Sequence, residues 1–150
     1  MSAGRKAAPQ VALAIALVAM IVAFACGGPQ KPDHSVDKRN EITGLWMQIR
    51  DWRHEAKMDL EPSPSTLNQI RFKSVKDAER VCVDNHKVPE TCSEVCLLAG
   101  DICDNAEAIC NIADELGKDD DYAQGKCIDA KASCREAKQK CCGCSAEPTP

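Results

Sequence analysis

Cysteine is the side chain on this sequence with the widest chemistry, and there are eleven of them in 150 residues. Thiols can close disulfides, bind soft metal ions as thiolates, or exchange with other disulfides. Spacing chooses among these. Cys96, Cys103 and Cys110 recur every seven residues, and so do Cys127, Cys134 and Cys141. Seven residues make nearly two helical turns, so each set marks one face of a helix. The pairs Cys96 with Cys141, Cys103 with Cys134 and Cys110 with Cys127 are all centred on one point, between Lys118 and Asp119. That point lies within Gly117-Lys118-Asp119-Asp120-Asp121, the strong turn signal of the region. A common centre is what an antiparallel helical hairpin zipped by disulfides requires; a metal cluster does not need it.

Four further cysteines lie downstream of the N-terminal region. Extending the register by one turn sets Cys92 opposite position 145, with Cys144 the nearest thiol. Cys82 then reaches Cys142 and ties a second helix to the fourth, although the adjacent Cys141 and Cys142 could exchange roles. Cys141 and Cys144 also have Cys-x-x-Cys spacing. Disulfide oxidoreductases place the reactive thiol at a helix N-terminus, where the dipole lowers its pKa; here it falls at a helix C-terminus, where the dipole opposes the thiolate. The metal alternative is a bundle lined by reduced thiolates that stores Cu(I). Cys92 and Cys96, four apart, resemble one repeat of the four-helix copper-storage proteins, which carry many such pairs.

Other reactive groups are poorly placed for chemistry. His34, His54 and His86 have no ligand spacing, and Asp119 to Asp121 lack the alternating ligands and closing glutamate of a calcium loop. No serine, histidine and carboxylate set, phosphate-cradling glycine loop or catalytic carboxylate pair can be assigned. The expectation is a protein without catalysis or cofactor.

The elements that must hold the cysteines are legible from pattern. Residues 41 to about 58 carry Ile42, Leu45, Trp46, Ile49, Trp52 and Ala56 at helical period. Glu61-Pro62-Ser63-Pro64-Ser65 breaks the run, with Ser63 or Ser65 able to cap the next helix. A second helix is expected from about Thr66 to Val83, with Leu67, Ile70, Val75, Ala78, Val81 and Cys82 on its weaker stripe. Thr91-Cys92-Ser93-Glu94 has capping-box spacing and opens a third helix that Gly117 stops at Leu116. A fourth helix runs from about Asp121, its expected N-cap, to Cys142.

Alanine alternates with cysteine on both ladders: Ala99, Ala106 and Ala113 on one, Ala123, Ala130 and Ala137 on the other. A disulfide needs Cα atoms about 4.4–6.8 Å apart, closer than large side chains between helices allow, and alanine permits that approach. Beside this seam run Val95, Ile102, Ile109 and Leu116, a surface for Trp46 and Trp52 as core anchors. The expected fold is all-α: a four-helix assembly around a C-terminal disulfide-stapled hairpin, or else a self-sufficient hairpin with two loosely associated helices. With five aromatic residues in the chain, covalent staples are expected to supplement a modest core.

Arg5 and Lys6 followed by an unbroken apolar run, Val11 to Ala25, read as an export signal over residues 1–25. The run ends in Ala23-Phe24-Ala25-Cys26-Gly27-Gly28, which resembles the lipobox of bacterial lipoproteins; the resemblance implies a lipid on Cys26. Cleavage after Ala25, giving a secreted or periplasmic protein, is the rival reading. Assigning Cys26 to lipid leaves an even ten cysteines, and that density in an exported chain implies an oxidising compartment. Without an Asp after Cys26 to signal inner-membrane retention, an outer-membrane address is expected. Residues 26–40 read as the lipidated cysteine and a polar tether, 41–145 as the helical domain and 146–150 as a disordered tail. Removing the signal takes away two basic and no acidic residues, leaving 17 basic against 23 acidic, a balance that argues against nucleic acid as a partner.

Leu45 to Arg53, Val88-Pro89-Glu90-Thr91-Cys92, Ile102-Cys103-Asp104-Asn105-Ala106, Ile112-Ala113-Asp114-Glu115-Leu116 and Lys131-Ala132-Ser133-Cys134 make the mature chain resemble cysteine-rich lipoproteins of myxobacterial type. The resemblance implies an envelope lipoprotein, held to the membrane by its lipid, with an envelope protein as its candidate partner; it carries no activity. Mitochondrial twin-cysteine hairpins are similar in architecture only.

Overall fold

The computed structural model describes residues 34–82 and 87–144. The export signal, Cys26, His86 and the tail 146–150 lie outside them. The described residues form five α-helices, α1 (His34–Glu55), α2 (Pro64–Ile70), α3 (Val75–Glu79), α4 (Ser93–Leu116) and α5 (Asp121–Gly143), with a 3-10 turn, Glu90–Cys92, before α4. The described residues contain no strand, and the all-α expectation holds.

α4 and α5 form the antiparallel hairpin. Gly117 adopts φ +96°, a left-handed value that residues with a Cβ rarely take, and its N–H closes on the Ala113 carbonyl at 3.0 Å. Asp120, rather than the expected Asp121, caps α5: its carboxylate accepts from the Ala123 N–H at 3.1 Å. At the other end of α4 the capping box expected at Thr91 and Glu94 does not form. The chain enters instead through the 3-10 turn, in which the Cys92 N–H donates to the Pro89 carbonyl at 2.9 Å. That turn satisfies the entry backbone without a side-chain cap.

α1 packs across both helices of the hairpin. Ile42 and Ile49 are fully buried, Trp46 and Ala56 nearly so, and Leu45 and Trp52 partly. They meet Ile102 and Ile109, both fully buried, so the N-terminal helix belongs to the same core as the hairpin. The Lys126 ammonium lies 4.5 Å from the centre of the Trp46 ring, a cation–π contact between α5 and α1.

Two boundaries differ from the sequence-based expectation. Residues 34–40, assigned to the tether, are the first turns of α1. Lys38 pairs there with Glu115 near the end of α4, and Arg39 Nε donates to Asp120 Oδ2 at 2.9 Å. These partners lie far along the chain, so helix is favoured where no apolar period marks it. α1 ends at Glu55 rather than near Met58, because Lys57 turns left-handed at φ +55°.

The expected single helix over residues 66–83 is two short ones. Ser63 caps α2, accepting from the Thr66 N–H, with Pro64 in the first turn where its missing N–H costs nothing. Ser74 then opens a capping box with Asp77 and starts α3 afresh. A second cap so soon competes with continuation of the first helix. α2 packs on α5, and α3 packs on α5 and α4. No helix of the described residues is long and apolar enough to cross a membrane.

Candidate functional site

The ten cysteines of the described residues form five disulfides. Along the hairpin, Cys96 meets Cys141, Cys103 meets Cys134 and Cys110 meets Cys127, with Cα separations of 4.8, 4.6 and 4.6 Å. The seam alanines make this approach feasible: Ala99, Ala106, Ala130 and Ala137 are buried between the rungs, and Ala113 and Ala123 are buried just beyond the last rung on the turn side. Cys92 pairs with Cys144 across 6.0 Å and Cys82 with Cys142 across 5.4 Å, so the staples continue past the seam to the entry turn of α4 and the segment after α3. In the chain-entropy picture a closed loop of about 15 residues is stabilised by about 3 kcal/mol, and a rung nested inside another closed loop contributes less.

The rungs differ in exposure. Cys103 and Cys134 are fully buried, Cys110 and Cys127 half-buried, and Cys82 is exposed. Cys141 and Cys144, the Cys-x-x-Cys pair, are bonded to different partners and not to each other. Glu79 lies within 4.8 Å of the sulfurs of Cys103 and Cys134, but sulfurs joined to each other offer no thiolate to a metal ion. His34 and His54 are both exposed, on α1. Of the aromatic anchors, Trp46 is buried and Trp52 half-buried.

A polar cluster that the sequence pattern did not reveal joins α1 to α5. Arg53 is 1% exposed. Its Nε donates to the Asp59 carbonyl at 2.7 Å, and Nη2 donates to the Glu61 carbonyl at 3.1 Å and to Glu136 Oε2 at 2.8 Å. Glu136 Oε1 accepts from the Ser63 N–H at 2.9 Å and the Ser63 hydroxyl at 2.8 Å. Burial pushes the Glu136 pKa up, but the bonds from Arg53 and Ser63 outweigh it and hold the carboxyl below its usual range. One guanidinium and one carboxylate thereby fix the irregular 56–63 connector to the hairpin. A signal was nonetheless present: Arg53 falls four residues after Ile49 and seven after Trp46, on the buried face of α1.

Two open clefts flank these elements. The larger, about 520 Å³, has Arg53, Lys57 and Lys140 facing Asp59, Glu61 and Glu136. Three cations against three carboxylates leave its lining without net charge to select a ligand of either sign. The smaller, about 340 Å³, lies beside the Cys110–Cys127 rung and is lined by Lys73, Lys76, Lys131, Glu107 and Asp114 among others. Lys131 is nearly buried, and its ammonium donates to the carbonyls of Arg71 and Lys73 at 3.1 and 2.8 Å. Desolvation lowers its pKa, with Asp114 pulling the other way. Neither cleft brings a nucleophile together with a base and an oxyanion donor set.

What the geometry supports is covalent rigidity: two helices locked in register, with a smaller helical layer fastened to α5 by the Cys82–Cys142 disulfide and by a nearly buried ion pair. Comparison with protein-family models, with curated proteins and with solved structures found no match to this chain.

Proposed function

We propose that this chain is an exported envelope lipoprotein. In this reading residues 1–25 are removed as a signal, Cys26 carries the lipid, and residues 27–33 join the anchor to a rigid helical module. The module has a structural or binding role at the outer membrane and performs no catalysis. The observation that carries the reading is the closure of all ten remaining cysteines into five disulfides. Such staples persist in an oxidising compartment and are rare in the cytosol. With ten cysteines paired, Cys26 is left over, at the position where the lipobox resemblance sets an acylated residue. The likeness to cysteine-rich lipoproteins points the same way. A Cu(I) store would need the same sulfurs reduced.

The test is fractionation of cells producing the full chain, followed by mass spectrometry before and after reduction. The reading predicts recovery with membranes, an N-terminal peptide bearing a lipid on Cys26, and a gain of two hydrogens for each of five disulfides on reduction. Recovery in the cytosol with free thiols would overturn it. Retained copper on reduced cysteines would replace it with metal storage.

A further inference from the structure

Phe72 is 95% exposed, the most exposed of the large apolar side chains among the described residues. A single apolar side chain on a surface is ordinary, but the base that holds this one is not. Phe72 stands at the turn between α2 and α3, and the carbonyls on either side of it, those of Arg71 and Lys73, accept from the same nearly buried Lys131 ammonium. The Arg71 N–H donates to the Leu67 carbonyl at 3.1 Å and the Lys73 N–H to the Ile70 carbonyl at 2.9 Å. Beyond them the Ser74 and Asp77 capping box closes the turn. The backbone is therefore pinned before, beneath and after a ring that touches little itself.

Charge gives the second observation. The chain is acidic overall, yet residues 71–76 carry Arg71, Lys73 and Lys76, all exposed, and no carboxylate. Asp77, the next acid along, is engaged by Ser74. Glu107 and Asp114 line the cleft behind, together with Lys131. A rigid aromatic tip set among solvated cations matches the boundary between phosphates and acyl chains in an anionic bilayer. A protein partner would be expected to meet a contiguous apolar patch with a drier rim, and the immediate chain neighbours of Phe72 are cations instead.

We propose that the 71–76 turn is a membrane-contact loop, in which Phe72 enters the interface of an anionic phospholipid bilayer while Arg71, Lys73 and Lys76 engage lipid phosphates. The proposal deepens the lipoprotein reading, which brings a bilayer within reach, and gives the module a defined orientation on it. Because Phe72 is exposed, its substitution leaves the fold intact, which unchanged thermal melts would verify.

The experiment places the full chain carrying Phe72→Trp in vesicles of phosphatidylcholine and phosphatidylglycerol with brominated acyl chains. Emission is compared with that of the parent, which reports Trp46 and Trp52. The new signal should be blue-shifted and quenched, and the effect should vanish in Arg71→Glu/Lys73→Glu/Lys76→Glu and in pure phosphatidylcholine. Unquenched emission at water-exposed wavelengths overturns the proposal, as does a blue shift without lipid, which would mean another part of the chain covers the site. If Cys26 proves unacylated, the same vesicles are mixed with the soluble protein. Co-sedimentation that falls about tenfold for Phe72→Ser and about fivefold for each of Arg71→Gln, Lys73→Gln and Lys76→Gln would sustain the loop independently of the anchor. Sedimentation equal to that of the parent would refute it.

Discussion

The α4–α5 hairpin and the layer made by α1, α2 and α3 share one hydrophobic core but are held together by opposite means. The hairpin uses small residues and covalent rungs: alanines bring the backbones close, and three disulfides fix the register. The layer uses large residues and polar contacts with a single covalent tie: Ile42, Trp46 and Ile49 supply burial, Arg53 with Glu136 supplies a nearly buried ion pair, and Cys82–Cys142 joins the segment after α3 to α5. Covalent register constrains the unfolded chain and needs few contacts in the folded one. Packing and buried charge act only once both sides have come together, so the layer depends on the hairpin more than the hairpin depends on it.

The sharpest way to break this contrast is complete reduction. Total stabilities of small domains are about 5–15 kcal/mol, and single disulfides contribute about 2–4 kcal/mol each, less when nested. Reduced protein should therefore lose its cooperative thermal transition by circular dichroism, with the layer released along with the hairpin. A reduced form that melts as the native one does would show that packing alone suffices.

Next in size is Arg53→Ala. Breaking a buried pair from one side costs about 3–5 kcal/mol, and here the change also strands the carbonyls of Asp59 and Glu61. Urea unfolding should show the full loss, and hydrogen exchange should place the opening in α1 and the connector while the hairpin amides stay protected. Uniform loss of protection across both regions would contradict the separation.

Replacing Cys103 and Cys134 together by alanine removes the central rung cleanly. Its effect should be about 2 kcal/mol, reduced from the value for an isolated loop because the rungs on either side already shorten it. Cys103→Ala alone leaves a buried thiol able to mispair, so its disulfide map should differ from that of the double variant. Identical maps would mean the rungs do not act as a register.

The smallest effect is on acid stability. Glu136 sits below its usual pKa through the bonds from Arg53 and Ser63 that outweigh burial, and Asp120 through the Ala123 N–H and Arg39 against burial. A carboxylate with a depressed folded pKa stabilises fully above its unfolded value, about 4, and loses that contribution as the pH falls through the folded value. Denaturant midpoints should be flat from neutral pH down to that range and then fall. Glu136→Gln should remove part of the fall, and an unchanged profile in that variant would rule Glu136 out as its source.

The same contrast explains what could be read in the sequence. A covalent rung every two turns leaves a strict spacing, and Gly117 beside the centre of that spacing marks the turn, so the register of the hairpin was legible rung by rung, though not the caps of its helices. The apolar stripe from Ile42 to Ala56 likewise showed α1 and its buried face. Boundaries set by distant partners were not legible: the opening turns of α1 depend on Glu115 and Asp120, and the turn before α3, begun by the Ser74 cap, is held by Lys131, which lies in α5. Arg53 lay on a visible face but carries a charge, and a charge there reads as solvent-facing until its partner Glu136 is known. Of the polar groups now seen to organise the molecule, only the serine caps and the helix stop had local signatures.

The central claim is that two helices are locked in one register by covalent rungs, and a disulfide map of the native protein tests it most directly. Trypsin leaves Cys92, Cys96, Cys103 and Cys110 on a single peptide, so the digest must cut at Glu94, Asp101 and Glu107 to separate them. The account predicts Cys103 with Cys134, Cys110 with Cys127, and Cys82, Cys92 and Cys96 all joined to the one peptide that carries Cys141, Cys142 and Cys144. Any rung shifted by one ladder position, such as Cys103 with Cys127, or free thiols on the hairpin of the native protein, would contradict it.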